Sequence, residues 1–256
     1  MIAFFDSGLG GLSVFSEVRS LLPRYDLAYF ADSAFCPYGP KSVSFVRERS
    51  LTIGRWLIDQ GAQMLVVACN TASSAALEML RDQLPIPVVG MEPGLKPAVE
   101  STRSGRVGIL ATTGTLSGGR FHKLVERFAG GVEVLTQPCA GWVEQVEAGD
   151  LSSDTTRGMV ARYVVPLVAR GADTLVLGCT HYPFLRPLVS DVAGPGVSII
   201  DTGPAVARQV ARLVACHEIA PEQGRIYGWT SGDPADVSPV LRRLVREDMP
   251  LAHSTI

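Results

Sequence analysis

The 256-residue sequence has no long apolar run, no cysteine pair at metal-binding spacing and no excess of either charge. Each absence removes a class of function. No run reaches the roughly 18 apolar residues of a membrane span, so a membrane partner is not expected. A formal net charge of −2 leaves no basic footprint for nucleic acid or an anionic surface. The five cysteines are Cys36, Cys69, Cys139, Cys179 and Cys216, an odd and widely scattered set without C-x-x-C. That argues against both a disulfide framework and a structural zinc site. The N-terminus reaches the carboxylate of Asp6 too early for a signal peptide. A cytoplasmic protein is therefore expected.

What remains is a well-cored globular chain, 46% hydrophobic and 19% charged, with room for one large or two ordinary domains. Short apolar runs alternate with helical periodicity along most of it. Strands are predicted at residues 2–5, 27–30, 64–68, 86–90, 106–110, 132–135, 174–177, 197–200 and 224–230. Helices are predicted at 12–22, 44–60, 72–83, 117–128, 155–169, 204–214 and 234–246. This alternation predicts an α/β fold with parallel sheets. Two similar α/β lobes are expected, with the active site in the cleft between them. The first would comprise residues 1–93 and 204–256, and the second residues 94–203. In such sheets the loops after strand C-termini line the ligand crevice; Asp6, Asp32, Cys69, Thr112 and Cys179 fall in those loops.

Several motifs fail on inspection. Gly8 and Gly10 begin a dinucleotide fingerprint, but the third glycine position is Ser13, and Asp6 would crowd the pyrophosphate. The alternative is that the Ser7 and Gly8 amides, at a helix N-terminus, hold a carboxylate. Gly11-Leu12-Ser13-Val14-Phe15 lacks the last glycine of a nucleophile elbow, and no P-loop is present.

One pattern stands out against these. Leu65-Val66-Val67-Ala68-Cys69-Asn70-Thr71-Ala72-Ser73-Ser74 is a buried-type strand that delivers a thiol and then small polar groups. The pattern recurs 110 positions later in Leu175-Val176-Leu177-Gly178-Cys179-Thr180-His181-Tyr182-Pro183. Either cysteine alone reads as buried filler. As a pair at equivalent strand ends they read as two bases facing one site. His181, two positions from Cys179, would point to the same face of an extended chain and could stabilise its thiolate. Cys69 precedes a helix whose N-terminus could do the same. Cys36, Cys139 and Cys216 read as structural fillers, with Cys36 near the site because it precedes Pro37-Tyr38-Gly39. Opposed thiols could remove a proton from one face of a carbon and return one to the other, inverting a stereocentre.

Asp6-Ser7-Gly8-Leu9-Gly10-Gly11, Pro37-Tyr38-Gly39, Cys69-Asn70-Thr71-Ala72-Ser73, Glu92-Pro93-Gly94 and Gly178-Cys179-Thr180-His181-Tyr182-Pro183 together resemble bacterial glutamate racemases of the aspartate/glutamate racemase superfamily. The match runs in family order through nearly the whole chain. The resemblance implies that Cys69 acts on D-glutamate and Cys179 on L-glutamate, assisted by Asp6 and His181. It implies an acidic role for Glu147 beside the second cysteine; on its own, Glu147 also reads as a solvated surface carboxylate. Asp6, Ser7, Tyr38, Gly39, Asn70, Thr71, Thr115, Thr180 and His181 would bind the substrate. No metal and no cofactor are implied, the partner is L- or D-glutamate, and a homodimer is expected. The product would supply peptidoglycan synthesis. Histidine after Cys179-Thr180 resembles the glutamate branch, since aspartate racemases carry an acidic residue there. Phe121 stands where many relatives have tyrosine, a difference expected to affect packing. Because the chain opens on its first strand, no control through an N-terminal extension is expected. Two other readings compete: an isomerase acting on aspartate, and a non-catalytic amino-acid binder.

Overall fold

The computed structural model describes residues 1–245 and 249–256. The chain alternates strand and helix: β1 (Ile2–Asp6), α1 (Leu12–Leu21), β2 (Leu27–Ala31), α2 (Val43–Asp59), β3 (Met64–Val67), α3 (Asn70–Gln83) and β4 (Val88–Val89). There follow α4 (Leu95–Ser101), β5 (Arg106–Ala111), α5 (Thr113–Leu116), α6 (Gly119–Phe128), β6 (Glu133–Pro138), α7 (Trp142–Glu147), α8 (Asp154–Ala169), β7 (Thr174–Leu177), α9 (Arg186–Ala193) and β8 (Ser198–Ile200). The chain closes with α10 (Gly203–Cys216), β9 (Ile226–Thr230), α11 (Pro234–Leu244) and β10 (Leu251–His253).

These strands form two sheets, both parallel throughout. One has six strands in the order β10-β9-β2-β1-β3-β4, the other four in the order β6-β5-β7-β8. Strands β1, β2, β3 and β7 are buried along their whole length. A strand covered on both faces reads as a continuous apolar run, which is what made these four legible. Side-chain alternation splits each sheet's core in two. Ile2 and Phe4 pack with Phe15 and Tyr29 on one face, while Ala3 and Phe5 pack with Phe30 and Leu57 on the other. In the second sheet Leu175 and Leu177 face Trp142 and Val164, and Val176 faces Ile109 and Phe121. No helix among the described residues is long and apolar enough to cross a membrane.

The departures from expectation have local causes. α4, α7 and α9 were not expected; at six to eight residues they are too short to establish a helical period. β4 shrinks to two residues because Pro87, which has no N–H, stands at its start. α3 begins at Asn70 rather than Ala72, because Cys69 is its N-cap and its Sγ accepts the Ala72 N–H at 3.4 Å. β10 is an unexpected three-residue strand, added parallel to β9 at the edge of the first sheet. α11 ends at Leu244, and the expected extension to Arg246 lies outside the described residues.

Candidate active site

Strand C-termini from both sheets deliver the polar groups to one place. β1 ends in Asp6, β3 leads into Cys69, and β7 leads through Gly178 into Cys179, Thr180 and His181. Asp6 is fully buried and ties the two sheets together. Its Oδ1 accepts the Ser7 amide at 2.5 Å and the Ser7 hydroxyl at 3.0 Å, and its Oδ2 accepts the Thr180 hydroxyl at 2.9 Å. The Ser7 amide, expected to be open to a ligand carboxylate, is therefore engaged within the protein. Burial raises the Asp6 pKa, and the charge of His181 and the hydrogen bonds from Thr180 and Cys69 oppose that rise without cancelling it.

The Cys69 thiol lies against the Ser7 hydroxyl, with Sγ and Oγ 3.9 Å apart. Burial first, and then the charge of Asp6, push this thiol well above the ordinary cysteine range; Cys179 adds to the effect, and the Ala72 and Ser7 amides oppose it. Burial and the neighbouring Asp6 carboxyl group thus both favour the neutral thiol form of Cys69.

The other side is a relay. Cys179 Sγ lies 3.7 Å from His181 Nδ1, and His181 Nε2 lies 2.6 Å from Glu147 Oε1. Burial alone would lower the imidazole pKa; hydrogen bonds with Cys179, Cys36 and Glu147 outweigh it and raise the pKa well above the ordinary value. Glu147 ends α7 with its side chain one-fifth exposed, and its carboxylate also accepts the Leu9 amide at 2.6 Å. It is not the solvated surface group that its local sequence allowed.

The glycine loop after β1 makes this approach possible. A Cβ on Gly8 would stand 2.2 Å from Glu147 Oε1 and 2.9 Å from Cys36 Sγ, and one on Gly10 would stand 2.2 Å from His181 Nδ1. These glycines are needed for close packing, not for a nucleotide. Ser13 fixes the opposite strand end by donating to the Thr180 carbonyl at 2.9 Å.

Three threonine hydroxyls form the remaining polar wall. Thr71 Oγ1 is 2.9 Å from Thr112 Oγ1 and 3.4 Å from Thr115 Oγ1, and Thr112 and Thr115 are 3.0 Å apart. Thr112 was expected in a crevice-lining loop but not among the substrate-binding residues. Asn70 is buried at the start of α3, and its Nδ2 has no protein partner among the described residues. Tyr38 is buried too, but its hydroxyl donates to Asp32 Oδ2 at 2.5 Å, and Arg49 pairs with the same carboxylate at 2.6 Å. That leaves the Tyr38 backbone as the part available to a ligand. Gly39 packs against Thr112 and Gly114, where a Cβ on Gly114 would meet the Gly39 carbonyl at 2.9 Å. A 400 Å³ cavity opens alongside, lined by Pro37, Gly39, Thr112, Thr113, Cys139 and Glu144 among others.

The remaining cysteines divide. Cys139 is buried, whereas Cys216 is exposed at the end of α10 and fills no core, contrary to expectation. Cys36 follows β2 and belongs to the site's outer wall. Its Sγ, a Glu147 oxygen and a His181 nitrogen all lie within 4.8 Å of one another. Burial is the main reason its thiol is pushed up to about 12.

Comparison with known proteins gives a consistent result. The chain is 53% identical over 250 residues to the glutamate racemase of Ectopseudomonas mendocina, covering 96% of this chain and 95% of the relative. Its fold matches a glutamate racemase isoform from Bacillus anthracis with a TM-score of 0.90 at 30% identity, over 99% and 97% of the two chains. It matches Escherichia coli glutamate racemase, solved with L-glutamate and the activator UDP-MurNAc-Ala, with a TM-score of 0.87 at 34% identity over 98% and 97%. The Asp/Glu/Hydantoin racemase family model matches residues 12–210. The chain belongs to that racemase family.

Proposed function

We propose that this protein interconverts L- and D-glutamate by a two-base mechanism without a cofactor. The observation that carries the reading is the pair of cysteines at equivalent strand ends of two parallel sheets, each with its own proton-handling partner. Cys179 takes the α-proton of L-glutamate while Cys69 returns a proton to the opposite face, and the roles reverse for D-glutamate. His181, backed by Glu147, holds Cys179 as a thiolate paired with an imidazolium. Asp6 serves Cys69 differently: its charge disfavours the thiolate, and its raised pKa suits it to exchange a proton with the thiol. Positioned acid–base groups of this kind contribute about 10²–10⁴-fold each.

The carbanion that develops at the α-carbon needs donors around the substrate carboxylate. Asn70, Thr71, Thr115 and the Tyr38–Gly39 backbone are suited to that task, and the Asn70 amide, without a partner among the described residues, is a ready donor. Ser7 and Thr180 donate to Asp6 and would serve the substrate by exchanging that partner. Thr112 joins them through its contacts with Thr71 and Thr115. Residues 1–93 with 204–256 form one lobe and residues 94–203 the other. Substrate enters beside Gly39 and Thr112, and the lobes open to release product. We place the enzyme in the cytoplasm as a homodimer that supplies D-glutamate for peptidoglycan synthesis.

The reading is tested by incubating the protein separately with L-glutamate and L-aspartate while following optical rotation. Loss of rotation with glutamate alone is expected, and Cys69→Ser and Cys179→Ser should each abolish it. Racemisation of aspartate alone, or near-parental turnover in either variant, would overturn it.

A further inference from the structure

Three side chains that share no sequence motif meet behind Cys179. Cys36 comes from the loop after β2, Glu147 from the end of α7 and His181 from the loop after β7, and their ligand atoms lie within 4.8 Å of one another. Sulfur, imidazole nitrogen and carboxylate oxygen are the donors zinc takes, at roughly 2.3, 2.0 and 2.0–2.2 Å. Three donors spaced this way can close around one ion and leave a fourth position for water. The backbone leaves the space clear, because a Cβ on Gly8 would lie 2.2 Å from the Glu147 oxygen and 2.9 Å from the Cys36 sulfur. An approach also exists, since Cys36 and Glu147 are only partly buried.

We propose that Cys36, Glu147 and His181 form an inhibitory site for Zn²⁺ or a similar thiophilic divalent cation. The ion replaces the proton shared by His181 Nε2 and Glu147 Oε1, and it drives the thiol proton of Cys36 into solvent. The ring then keeps a single proton, on Nδ1, and cannot form the imidazolium that holds Cys179 as a thiolate. Glu147 is also withdrawn from its hydrogen bond to the ring. The predicted inhibition rests on the two-base reading, but occupation of the site does not.

The test uses Co²⁺ as a spectroscopic probe and Zn²⁺ as the inhibitor. Titrating the full chain with Co²⁺ alone should give a sulfur-to-cobalt charge-transfer band saturating at one equivalent. Cys36→Ser should lose that band, and Zn²⁺ inhibition, measured against the variant's own metal-free rate, should weaken about tenfold or more. Should the variant fail to fold, the parental chain still decides: bound Zn²⁺ should protect Cys36 from maleimide, read by peptide mass. A band retained in folded Cys36→Ser places the ion on another of the chain's cysteines and overturns the proposal. Absence of any band, or equal Cys36 labelling with and without Zn²⁺, overturns it as well. A protein that binds Co²⁺ through Cys36 but does not racemise glutamate would leave the site standing and refute the function instead.

Discussion

Replacing Glu147 with glutamine tests the relay behind Cys179 with the least disturbance of shape. The substitution keeps an oxygen for the Leu9 amide but removes the charge 2.6 Å from His181 Nε2. A hydrogen bond to a charged partner contributes about 1.5–3 kcal/mol, which lowers the imidazole pKa by about 1–2 units. His181 now sits well above the ordinary histidine value, with burial opposing and Cys179, Cys36 and Glu147 contacts raising it. Losing Glu147 therefore makes the ring neutral at lower pH. If the imidazolium holds Cys179 as a thiolate, the alkaline limb of the rate profile shifts down by about 1–2 units, and kcat falls roughly 10–150-fold. The assays are initial rates from L-glutamate across pH and an NMR titration of the His181 ring. An unchanged His181 titration with kcat within threefold of the parent, that is within about 0.7 kcal/mol, would refute the relay.

Other perturbations reach different parts of the account. Gly10→Ala drives a Cβ to within 2.2 Å of the buried His181 ring, whereas Gly119→Ala meets nothing within 4 Å. The first should lose about 1–3 kcal/mol in urea unfolding together with most of its activity, and the second should lose neither. Arg49→Met leaves the fully buried Asp32 carboxylate without its ion pair and should cost about 3–5 kcal/mol; a loss under about 1 kcal/mol would mean the pair is expendable. Asp173 has burial as its largest single influence, which raises its pKa, but the hydrogen bonds from Thr102, the Arg103 and Ser104 amides and Thr174 together outweigh it and hold the pKa at about 2. Its contribution is present above pH 3.8 and is lost as pH falls towards 2. The melting temperature of Asp173→Asn should accordingly fall less than the parent's across that window, and parallel curves would contradict this.

The sequence was most informative where burial is two-sided. β1, β3 and β7 are apolar runs stopped by polar groups, so both the strands and the chemistry at their ends could be read directly. Short elements stabilised by tertiary contacts could not: α7 is six residues long, and β10 exists through pairing with β9. Missing α7 left Glu147 open to a surface reading, because only that helix turns its carboxylate towards His181. Cys36 was set aside as filler for a related reason, as its neighbours are more than a hundred positions away in the chain. The glycines at 8 and 10 failed the nucleotide fingerprint at Ser13 and Asp6, but their packing role stayed hidden because the sequence does not reveal that Glu147 and His181 occupy the space beside them. The Tyr38 hydroxyl likewise belongs to Asp32, a partner fixed by the fold of its own lobe.

The central claim, that Cys69 and Cys179 handle protons on opposite faces of one α-carbon, is most directly tested by label distribution at low conversion. L-Glutamate is incubated in deuterium oxide, and both enantiomers are recovered before much product forms. Two bases predict that the first D-glutamate carries deuterium at the α-carbon, while the remaining L-glutamate keeps protium. D-Glutamate that retains the substrate's own α-proton would mean that a single base serves both faces, and would contradict the account.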